Sequence, residues 1–140
     1  MTTAAYWILR CENRLLILSG EGTAQFPFGL PLEVGDPASP LAVGLWQGAP
    51  CLAADVAEFP QLARGEATPL RSVFELAGDA AFALAGRAVQ LLDWQRQHRF
   101  CGQCGTATER LADEHAMRCP ACGLMVYPRI SPAVMVLVCK

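Results

Sequence analysis

The chain of 140 residues is long enough for one ordinary core or two small ones, and 53% of its residues are hydrophobic. Its formal net charge of −2 argues against a protein whose main task is to hold nucleic acid by its phosphates. No apolar run reaches the length of a membrane-spanning helix, and the N-terminus lacks the pattern of a signal peptide. We therefore predict a soluble, cytoplasmic protein.

Two pairs of apolar runs predict β-hairpins in the first half of the chain. The paired runs are residues 6–9 with 15–18, and residues 41–46 with 51–56. The polar segment 11–14 separates the first pair, and the turn residues of 47–50, which include Gly48 and Pro50, separate the second. Two successive hairpins favour an antiparallel sheet.

A helical pattern follows the predicted sheet. We interpret residues 65–69 as a connector and residues 70–77 as a short helix that ends at Gly78, with Asp79 as the N-cap of the next helix. From residue 80 to about residue 98, apolar residues recur at helical spacing, namely Phe82, Ala85, Val89 and Leu92. This amphipathic helix is expected to pack on the sheet.

Two Cys-x-x-Cys pairs carry the strongest chemical signal. Cys101-Gly-Gln-Cys104 and Cys119-Pro-Ala-Cys122 are separated by fourteen residues, and a glycine follows each pair. A two-residue gap lets one tight turn present both thiolates to one metal, and the glycine can adopt the positive φ that closes the turn. We predict that all four cysteines bind one structural Zn²⁺ in a zinc ribbon. Redox chemistry at one pair is the alternative, but a redox-active Cys-x-x-Cys motif usually occurs as a single pair within a βαβ unit.

The other cysteines and a nearby histidine have simpler interpretations. Cys11, Cys51 and Cys139 lie in or beside apolar stretches, so we interpret them as small core residues. His98 lies three residues before Cys101, but four thiolates already close a structural zinc site. We therefore expect no metal role for His98.

The apolar run 131–138 lies two residues before the end of the sequence. It is too short for a membrane helix and too continuous for a surface strand, so it predicts a strand buried on both faces. Such a strand needs neighbours, which suggests that the chain stops just inside a further domain.

Several segments together resemble the NADH pyrophosphatases, zinc-containing members of the Nudix hydrolase superfamily that also remove NAD caps from RNA. The matching segments are residues 82–91, 98–105, 116–119 and 127–132, with looser matches at 44–48 and 70–71. The resemblance implies a homodimeric enzyme that hydrolyses the diphosphate of NAD(H) to nicotinamide mononucleotide and AMP.

The residues and the resemblance together predict an α+β fold. It would consist of an antiparallel sheet with a packed amphipathic helix, then a four-cysteine zinc ribbon, then one strand of a truncated Nudix domain. The corresponding domain boundaries are residues 1–99, 100–126 and 127–140.

The sequence departs from the family in lacking a Nudix box, the run of glutamates that holds the catalytic Mg²⁺ or Mn²⁺. The nearest carboxylates are Glu109, Asp113 and Glu114, which lie between the two cysteine pairs and suit a solvated loop. We therefore predict no catalytic residue in this chain and no hydrolysis by it, with Mg²⁺ or Mn²⁺ bound in the missing Nudix domain.

The resemblance implies three substrate-binding residues, each with a simpler alternative. Tyr127 would stack against the nicotinamide, or it would anchor the zinc ribbon to the next domain. Glu114 matches a family glutamate near the substrate, although an exposed loop carboxylate is the commoner role. Arg71 would meet a phosphate, or it would be a surface charge at a helix start.

A different functional class also fits parts of the sequence, namely a stand-alone zinc-ribbon module that binds protein or nucleic acid. The basic segment 96–99 is its best support, but such segments usually form a solvated helix end. The apolar run 131–138 discriminates between the classes, because an unpaired apolar edge would make a finished binding module prone to aggregation. The pyrophosphatase interpretation is therefore favoured.

Overall fold

The computed structural model describes residues 3–20, 24–129 and 134–138. The chain forms two compact units, a first unit Met1–Asp93 and a second unit Trp94–Lys140. Among the described residues, no helix combines the length and the apolar character that a membrane crossing needs. The mixture of one long helix with two sheets confirms the predicted α+β class.

The first unit is built on a six-stranded sheet. Its strands are β1 (Ala5–Cys11), β2 (Arg14–Leu18), β3 (Phe28–Gly29), β4 (Leu41–Trp46), β5 (Ala49–Asp55) and β6 (Gly65–Pro69). They lie in the order β4-β5-β1-β2-β6, and the short β3 pairs with the beginning of β1.

Both predicted hairpins are confirmed. β1 and β2 pair antiparallel across a two-residue turn in which Glu12 has a φ of 52°. β4 and β5 pair antiparallel across Gln47 and Gly48, whose φ angles are 49° and 80°. Left-handed conformations at both central residues match the twist of the flanking strands, so glycine is suited to the second position.

Four of the five strand pairs in this sheet are antiparallel, in line with the predicted antiparallel sheet, but one pair is parallel and was not predicted. β5 lies beside β1 and runs parallel to it, with Tyr6 opposite Cys51 and Arg10 opposite Asp55. The second hairpin therefore joins the first through its returning strand. Local turn signals fix each hairpin but carry no information on how two hairpins associate.

The interpretation of residues 65–69 as a connector was wrong, because they form strand β6 on the outer side of β2. In this pairing Leu16 lies opposite Ala67, and Arg14 lies opposite Pro69. Glycine, glutamate and proline hide the strand signal in the sequence, but they suit an edge strand that needs partners on one side only.

Helix α1 (Leu70–Gln97) is broken at Gly78, whose φ of 81° and ψ of 179° are not helical. The sequence predicted an interruption at this glycine. Beyond it, Ala81, Ala85 and Ala88 are fully buried and belong to one apolar cluster with Ile8 and other residues of the sheet. These small side chains allow a close approach of helix and sheet, which confirms the predicted packing.

The other face of the sheet has its own apolar cluster. Trp7, Leu9 and Leu16 are buried there together with Val34, the last residue of a 3₁₀ helix (Pro31–Val34). Phe59 packs against this cluster from the loop between β5 and β6. Loops therefore cover the face that the helix leaves open, and the sheet carries apolar clusters on both faces.

A buried arginine lies within this apolar first unit. The Arg10 side chain is 6% exposed; its Nε and Nη2 donate to the two carboxylate oxygens of Asp55 at 2.5 and 2.9 Å. Its Nη1 donates to Asp93 Oδ1 at 2.8 Å. Because Asp55 belongs to β5 and Asp93 to α1, the guanidinium joins three elements of the first unit.

The second unit contains a small sheet of three strands in the order β7-β8-β9, and all pairs are antiparallel. The strands are β7 (Glu109–Arg110), β8 (Met117–Arg118) and β9 (Met125–Val126). Strands of two residues contribute few hydrogen bonds, so the turns between them must hold this unit together.

The predicted terminal strand 131–138 is not formed in its described part. Residues 131–133 lie outside the described residues, and residues 134–138 have no regular secondary structure and are exposed. A strand is stabilised by hydrogen bonds to a neighbour, and no described segment pairs with this one.

The three cysteines interpreted as core residues differ in environment. Cys51 is fully buried, as predicted, and burial raises the pKa of its thiol to about 12. Cys11 is only partly buried, and its Sγ donates to the Ala57 carbonyl at 3.2 Å, so its core assignment was wrong. Cys139 lies outside the described residues.

Candidate metal centre and substrate surface

The four cysteines of the two Cys-x-x-Cys pairs converge in the second unit. Their Sγ atoms all lie within 4.8 Å of one another. Cys101 Sγ lies 3.5 Å from Cys122 Sγ, and Cys104 Sγ lies 3.4 Å from Cys119 Sγ. Each of these two contacts joins one pair to the other. The two motifs therefore form a single four-sulfur cluster.

Two turns of the same construction present the sulfurs. In the first turn the Gly105 N–H donates to the Cys101 carbonyl at 2.9 Å, and in the second the Gly123 N–H donates to the Cys119 carbonyl at 3.0 Å. The φ angles of these glycines are 74° and 78°, the conformation for which glycine was expected. The Gln103 N–H also points at Cys101 Sγ, at 3.4 Å.

The pKa values of the cluster cysteines depend on their hydrogen bonds and on the neighbouring sulfurs. The hydrogen bond between Cys104 Sγ and the Thr106 hydroxyl oxygen, at 3.3 Å, is the main cause that lowers the pKa of Cys104 to about 6. The backbone hydrogen bond of Leu124 lowers the pKa of Cys122, but Cys101 and the other sulfurs outweigh it and raise that pKa to about 12. Four adjacent thiols cannot all ionise without a cation between them.

The donor set and its spacing suit zinc. A tetrahedral centre with Zn–S bonds of about 2.3 Å separates its sulfurs by about 3.8 Å, close to the spacing found in this cluster. Cys101 and Cys119 are buried, while Cys104 and Cys122 are exposed, which leaves the metal position at the surface of the unit. A zinc ion with four thiolate ligands has no open position for water or phosphate, so its role would be structural.

His98 does not join the cluster. Its Nδ1 lies 2.7 Å from the carbonyl oxygen of Trp94 and must donate a proton there, because a carbonyl can only accept. Among the described residues, the four cysteines form the only close group of His, Cys, Asp and Glu donors. This group includes neither His98 nor the carboxylates Glu109, Asp113 and Glu114.

The structure brings two of the three predicted substrate residues together. Glu114 lies in the turn between β7 and β8, and Tyr127 directly follows β9. The Tyr127 hydroxyl donates to Glu114 Oε1 at 3.3 Å, and the negative charge of Glu114 is the main cause that raises the pKa of Tyr127. Both side chains are exposed and therefore accessible to a ligand.

The third predicted residue, Arg71, belongs to the first unit. It is the second residue of α1, and its side chain is exposed. The basic residues Arg96 and Arg99 are exposed as well.

Two contacts near the candidate site were not predicted from the sequence. One is the Tyr127–Glu114 hydrogen bond, which closes a separation of thirteen residues. The other is the Thr106 hydroxyl beside Cys104. A threonine two residues after a ligand cysteine was a visible signal for the second contact, whereas the first depends on the register of the small sheet.

Comparison with protein families gives a match for nearly the whole described chain. Residues 4–94 match the model of the NADH pyrophosphatase-like rudimentary NUDIX domain. Residues 96–127 match the NADH pyrophosphatase zinc ribbon domain. The second match contains all four clustered cysteines together with Glu114 and Tyr127.

Curated relatives carry the name NAD-capped RNA hydrolase NudC. The protein of Stutzerimonas stutzeri is 46% identical over 138 residues, which cover 96% of this chain and 41% of that protein. The protein of Enterobacter sp. strain 638 is 38% identical over 95% of this chain and 48% of its own length. The protein of Deinococcus radiodurans is 52% identical over 51% of this chain and 25% of its own length. This chain thus spans less than half the length of these relatives.

Proposed function

Because the chain belongs to the NADH pyrophosphatase family with a rudimentary NUDIX domain and a zinc ribbon, we propose that it is the non-catalytic portion of such an enzyme. The complete enzyme would hydrolyse the diphosphate of NAD(H) to nicotinamide mononucleotide and AMP. The same bond occurs in the NAD caps of RNA, which the relatives are named for. The observation that carries the proposal is the Tyr127–Glu114 pair on a ribbon with a four-sulfur cluster.

In this proposal Cys101, Cys104, Cys119 and Cys122 bind one structural Zn²⁺. The four-thiol donor set and the cross-pair sulfur distances of 3.4 and 3.5 Å support the assignment. When bound, the ion would fix the two turns relative to each other. Metal analysis of the purified chain should return about one zinc per chain, because four thiolates bind zinc tightly at neutral pH.

We propose Tyr127 and Glu114 as substrate-binding residues of the second unit, and Arg71 as a separate candidate in the first unit. An exposed aromatic ring can stack on the planar nicotinamide, and Tyr127 is 49% exposed. Glu114 lies beside that ring and would border the same site. Arg71 is exposed and could pair with a phosphate through two parallel hydrogen bonds.

The chemistry itself would belong to the Nudix domain of the complete enzyme. Splitting a diphosphate requires carboxylates that hold Mg²⁺ or Mn²⁺, so that the metal neutralises the phosphate oxygens and activates water. The present sequence has no Nudix box, and its described residues contain no carboxylate cluster of this kind. The 140-residue chain alone should therefore leave NADH intact.

The experiment uses a chimera with a relative. This chain replaces the corresponding 41% of the Stutzerimonas stutzeri protein, whose remaining sequence is kept. We expect the chimera to cleave NADH to nicotinamide mononucleotide and AMP when Mg²⁺ or Mn²⁺ is present, and the isolated chain to show no cleavage. NADH cleavage by the isolated chain, or a folded but inactive chimera, would contradict the proposal.

Two variants of the chimera test the stacking role. Tyr127→Ala should reduce kcat/KM for NADH by about 5- to 20-fold, because stacking of an aromatic ring contributes about 1–2 kcal/mol. The loss for ADP-ribose should be smaller, because that diphosphate has no nicotinamide. An equal loss on both substrates would instead favour the anchoring role of Tyr127. Arg71→Ala serves as the comparison, since a phosphate contact should affect both substrates equally.

We propose further that the complete protein is a homodimer. Large apolar side chains remain exposed in the first unit, including Phe28, Leu45 and Phe74, which are 55%, 71% and 51% exposed. Such residues are common at subunit interfaces. Sedimentation at micromolar concentration should show a dimer or a larger species, and a monomer would place the dimer contacts outside this chain.

Two finer assignments complete the proposal. The reduced thiols of the cluster suit the cytoplasm, because an oxidising compartment would convert them to disulfides.

The domain boundaries are proposed at residues 99 and 126, so that limited proteolysis should release a zinc-containing fragment that begins near residue 100.

A further inference from the structure

We propose that Glu114 is a positioning residue for Tyr127, and that its carboxylate holds the phenol ring in one orientation before any substrate binds. The functional meaning of this contact rests on the proposed stacking role of Tyr127, whereas the contact itself does not.

The backbone of the ribbon fixes both residues independently of their side chains. Met117 of β8 lies opposite Val126 of β9, so Tyr127 follows directly on this pair. On the other side, the turn that carries Glu114 is closed by hydrogen bonds from the Leu111 N–H to the Ala116 carbonyl, at 3.0 Å, and from the Ala116 N–H to the Glu114 carbonyl, at 2.9 Å. The two side chains therefore start from defined positions at the same end of the small sheet.

The side-chain contact determines what the ring can do. A tyrosine that is 49% exposed has few packing contacts to select one rotamer, so its χ1 would otherwise sample several staggered wells. The hydrogen bond from its hydroxyl to Glu114 Oε1, at 3.3 Å, restrains the far end of the ring. The charge of Glu114 also raises the pKa of Tyr127, so the phenol keeps the proton that it donates.

A restrained ring is useful for stacking. Ordering a free side chain during binding opposes association, so a ring that is already oriented loses less conformational entropy when a planar ligand arrives. Glu114 would thus act through Tyr127 by presenting its face. This role does not require that Glu114 itself touch the ligand.

The chain offers a clean spectroscopic test, because it contains only two tyrosines, Tyr6 and Tyr127. The zinc-loaded chain is labelled with ¹³C at the tyrosine Cζ and Cβ positions, and Tyr6→Phe assigns the remaining signals to Tyr127. The Cζ shift as a function of pH gives the pKa of the phenol, and the Hα–Hβ couplings give the χ1 populations.

Three variants distinguish the effect of the hydrogen bond from the effect of the Glu114 charge and from a general effect of the charged turn. Glu114→Ala should lower the pKa of Tyr127 and reduce the ratio of the favoured rotamer to the others by about two- to fivefold, the range expected for one weak hydrogen bond. Glu114→Gln should also lower that pKa but should retain the rotamer ratio, because an amide oxygen still accepts from the phenol. Asp113→Asn, an exposed neighbour in the same turn, should change neither quantity.

Two results would overturn the proposal. An unchanged rotamer ratio in Glu114→Ala would show that other contacts hold the ring. Equal pKa changes in Asp113→Asn and Glu114→Gln would show a diffuse effect of the charged turn and no specific contact. Both measurements are made without substrate. If the chimera showed no stacking role for Tyr127, the contact between Glu114 and Tyr127 could therefore still be confirmed or contradicted.

Discussion

The two units of the chain are stabilised in different ways. In the first unit, buried apolar side chains form clusters on both faces of a six-stranded sheet. In the second unit, each of the three strands has two residues. Few side chains are buried among its described residues, and two of them are the cluster cysteines Cys101 and Cys119. The first unit therefore depends on apolar burial, and the second depends on its sulfur cluster.

Because of this difference, a substitution should have different consequences in the two units. In a unit with an apolar core, most changes alter stability by an increment, because many contacts share the free energy of unfolding. In a unit held by a metal, the free energy of metal binding is the free energy of folding, so the loss of one ligand removes most of it. Zinc content and unfolding of the first unit should therefore vary independently.

The largest effect is expected for a ligand cysteine. Cys119→Ser should abolish stoichiometric zinc binding and unfold the ribbon, while the amide signals of the first unit remain dispersed in an NMR spectrum. Cys51→Ala is a matched control, because Cys51 and Cys119 are both fully buried and lie in different units. This control should keep one zinc per chain and lower the unfolding temperature of the first unit. Collapse of both units in Cys119→Ser would contradict the separation.

The next effect concerns the buried guanidinium of the first unit. Arg10→Ala should cost about 2–3 kcal/mol, because it removes charged hydrogen bonds to Asp55 and Asp93 and leaves both carboxylates without this partner. The cost stays moderate because those carboxylates are 47% and 36% exposed and can be hydrated. Urea unfolding measures the change. The exposed Arg87 provides the control, and Arg87→Ala should change stability by less than about 0.5 kcal/mol.

Arg10 also shows where sequence-based prediction reached its limit. Its partners lie 45 and 83 residues away, and no local pattern selects them. The parallel pairing of β1 with β5 was missed for the same reason, since it joins two hairpins that are each defined locally. The features that were predicted depend on a few adjacent residues, as in the turn at Gln47 and Gly48 or the cysteine turn that ends in Gly105.

The candidate site also contains one feature that local sequence predicts and one that depends on residues far apart in the chain. The cysteine cluster was predictable because a Cys-x-x-Cys turn is a local structure, and two such turns in one small unit can share a metal. The contact of Tyr127 with Glu114 was not predicted, although both residues were named from the resemblance. It follows from the pairing of Met117 with Val126, a register that strands of two residues do not reveal in their sequence.

A pH effect should be specific to the first unit. Burial raises the folded pKa of Cys51 to about 12, so the folded state favours the neutral thiol over the thiolate. This contribution to stability is fully present below about pH 9 and should fall by up to about 1.4 kcal/mol per pH unit above it. The difference in unfolding free energy between the chain and Cys51→Ala, measured from pH 8 to pH 10.5, isolates this group. A constant difference across that range would show that the Cys51 thiol does not titrate in this way.

The smallest effects come from two glycines with the same backbone conformation in different units. Gly48 has a φ of 80° and Gly123 a φ of 78°, and an added Cβ would have no heavy atom within 4 Å at either position. Alanine at either site should therefore cost only about 1 kcal/mol of backbone strain. In Gly48→Ala this cost should reduce the stability of the first unit, and in Gly123→Ala it should weaken zinc binding about fivefold in a competition with a chelator.

A third glycine controls for the added methyl group. Gly86 lies inside α1, also has open space around its Cβ position, and does not have a positive φ. Gly86→Ala should stabilise the first unit by about 0.5–1 kcal/mol, because alanine favours the helix and reduces the freedom of the unfolded chain. If Gly123→Ala lowered the stability of the first unit as much as Gly48→Ala does, the two units would share one unfolding transition. An effect confined to zinc affinity would show instead that the metal alone supports the ribbon.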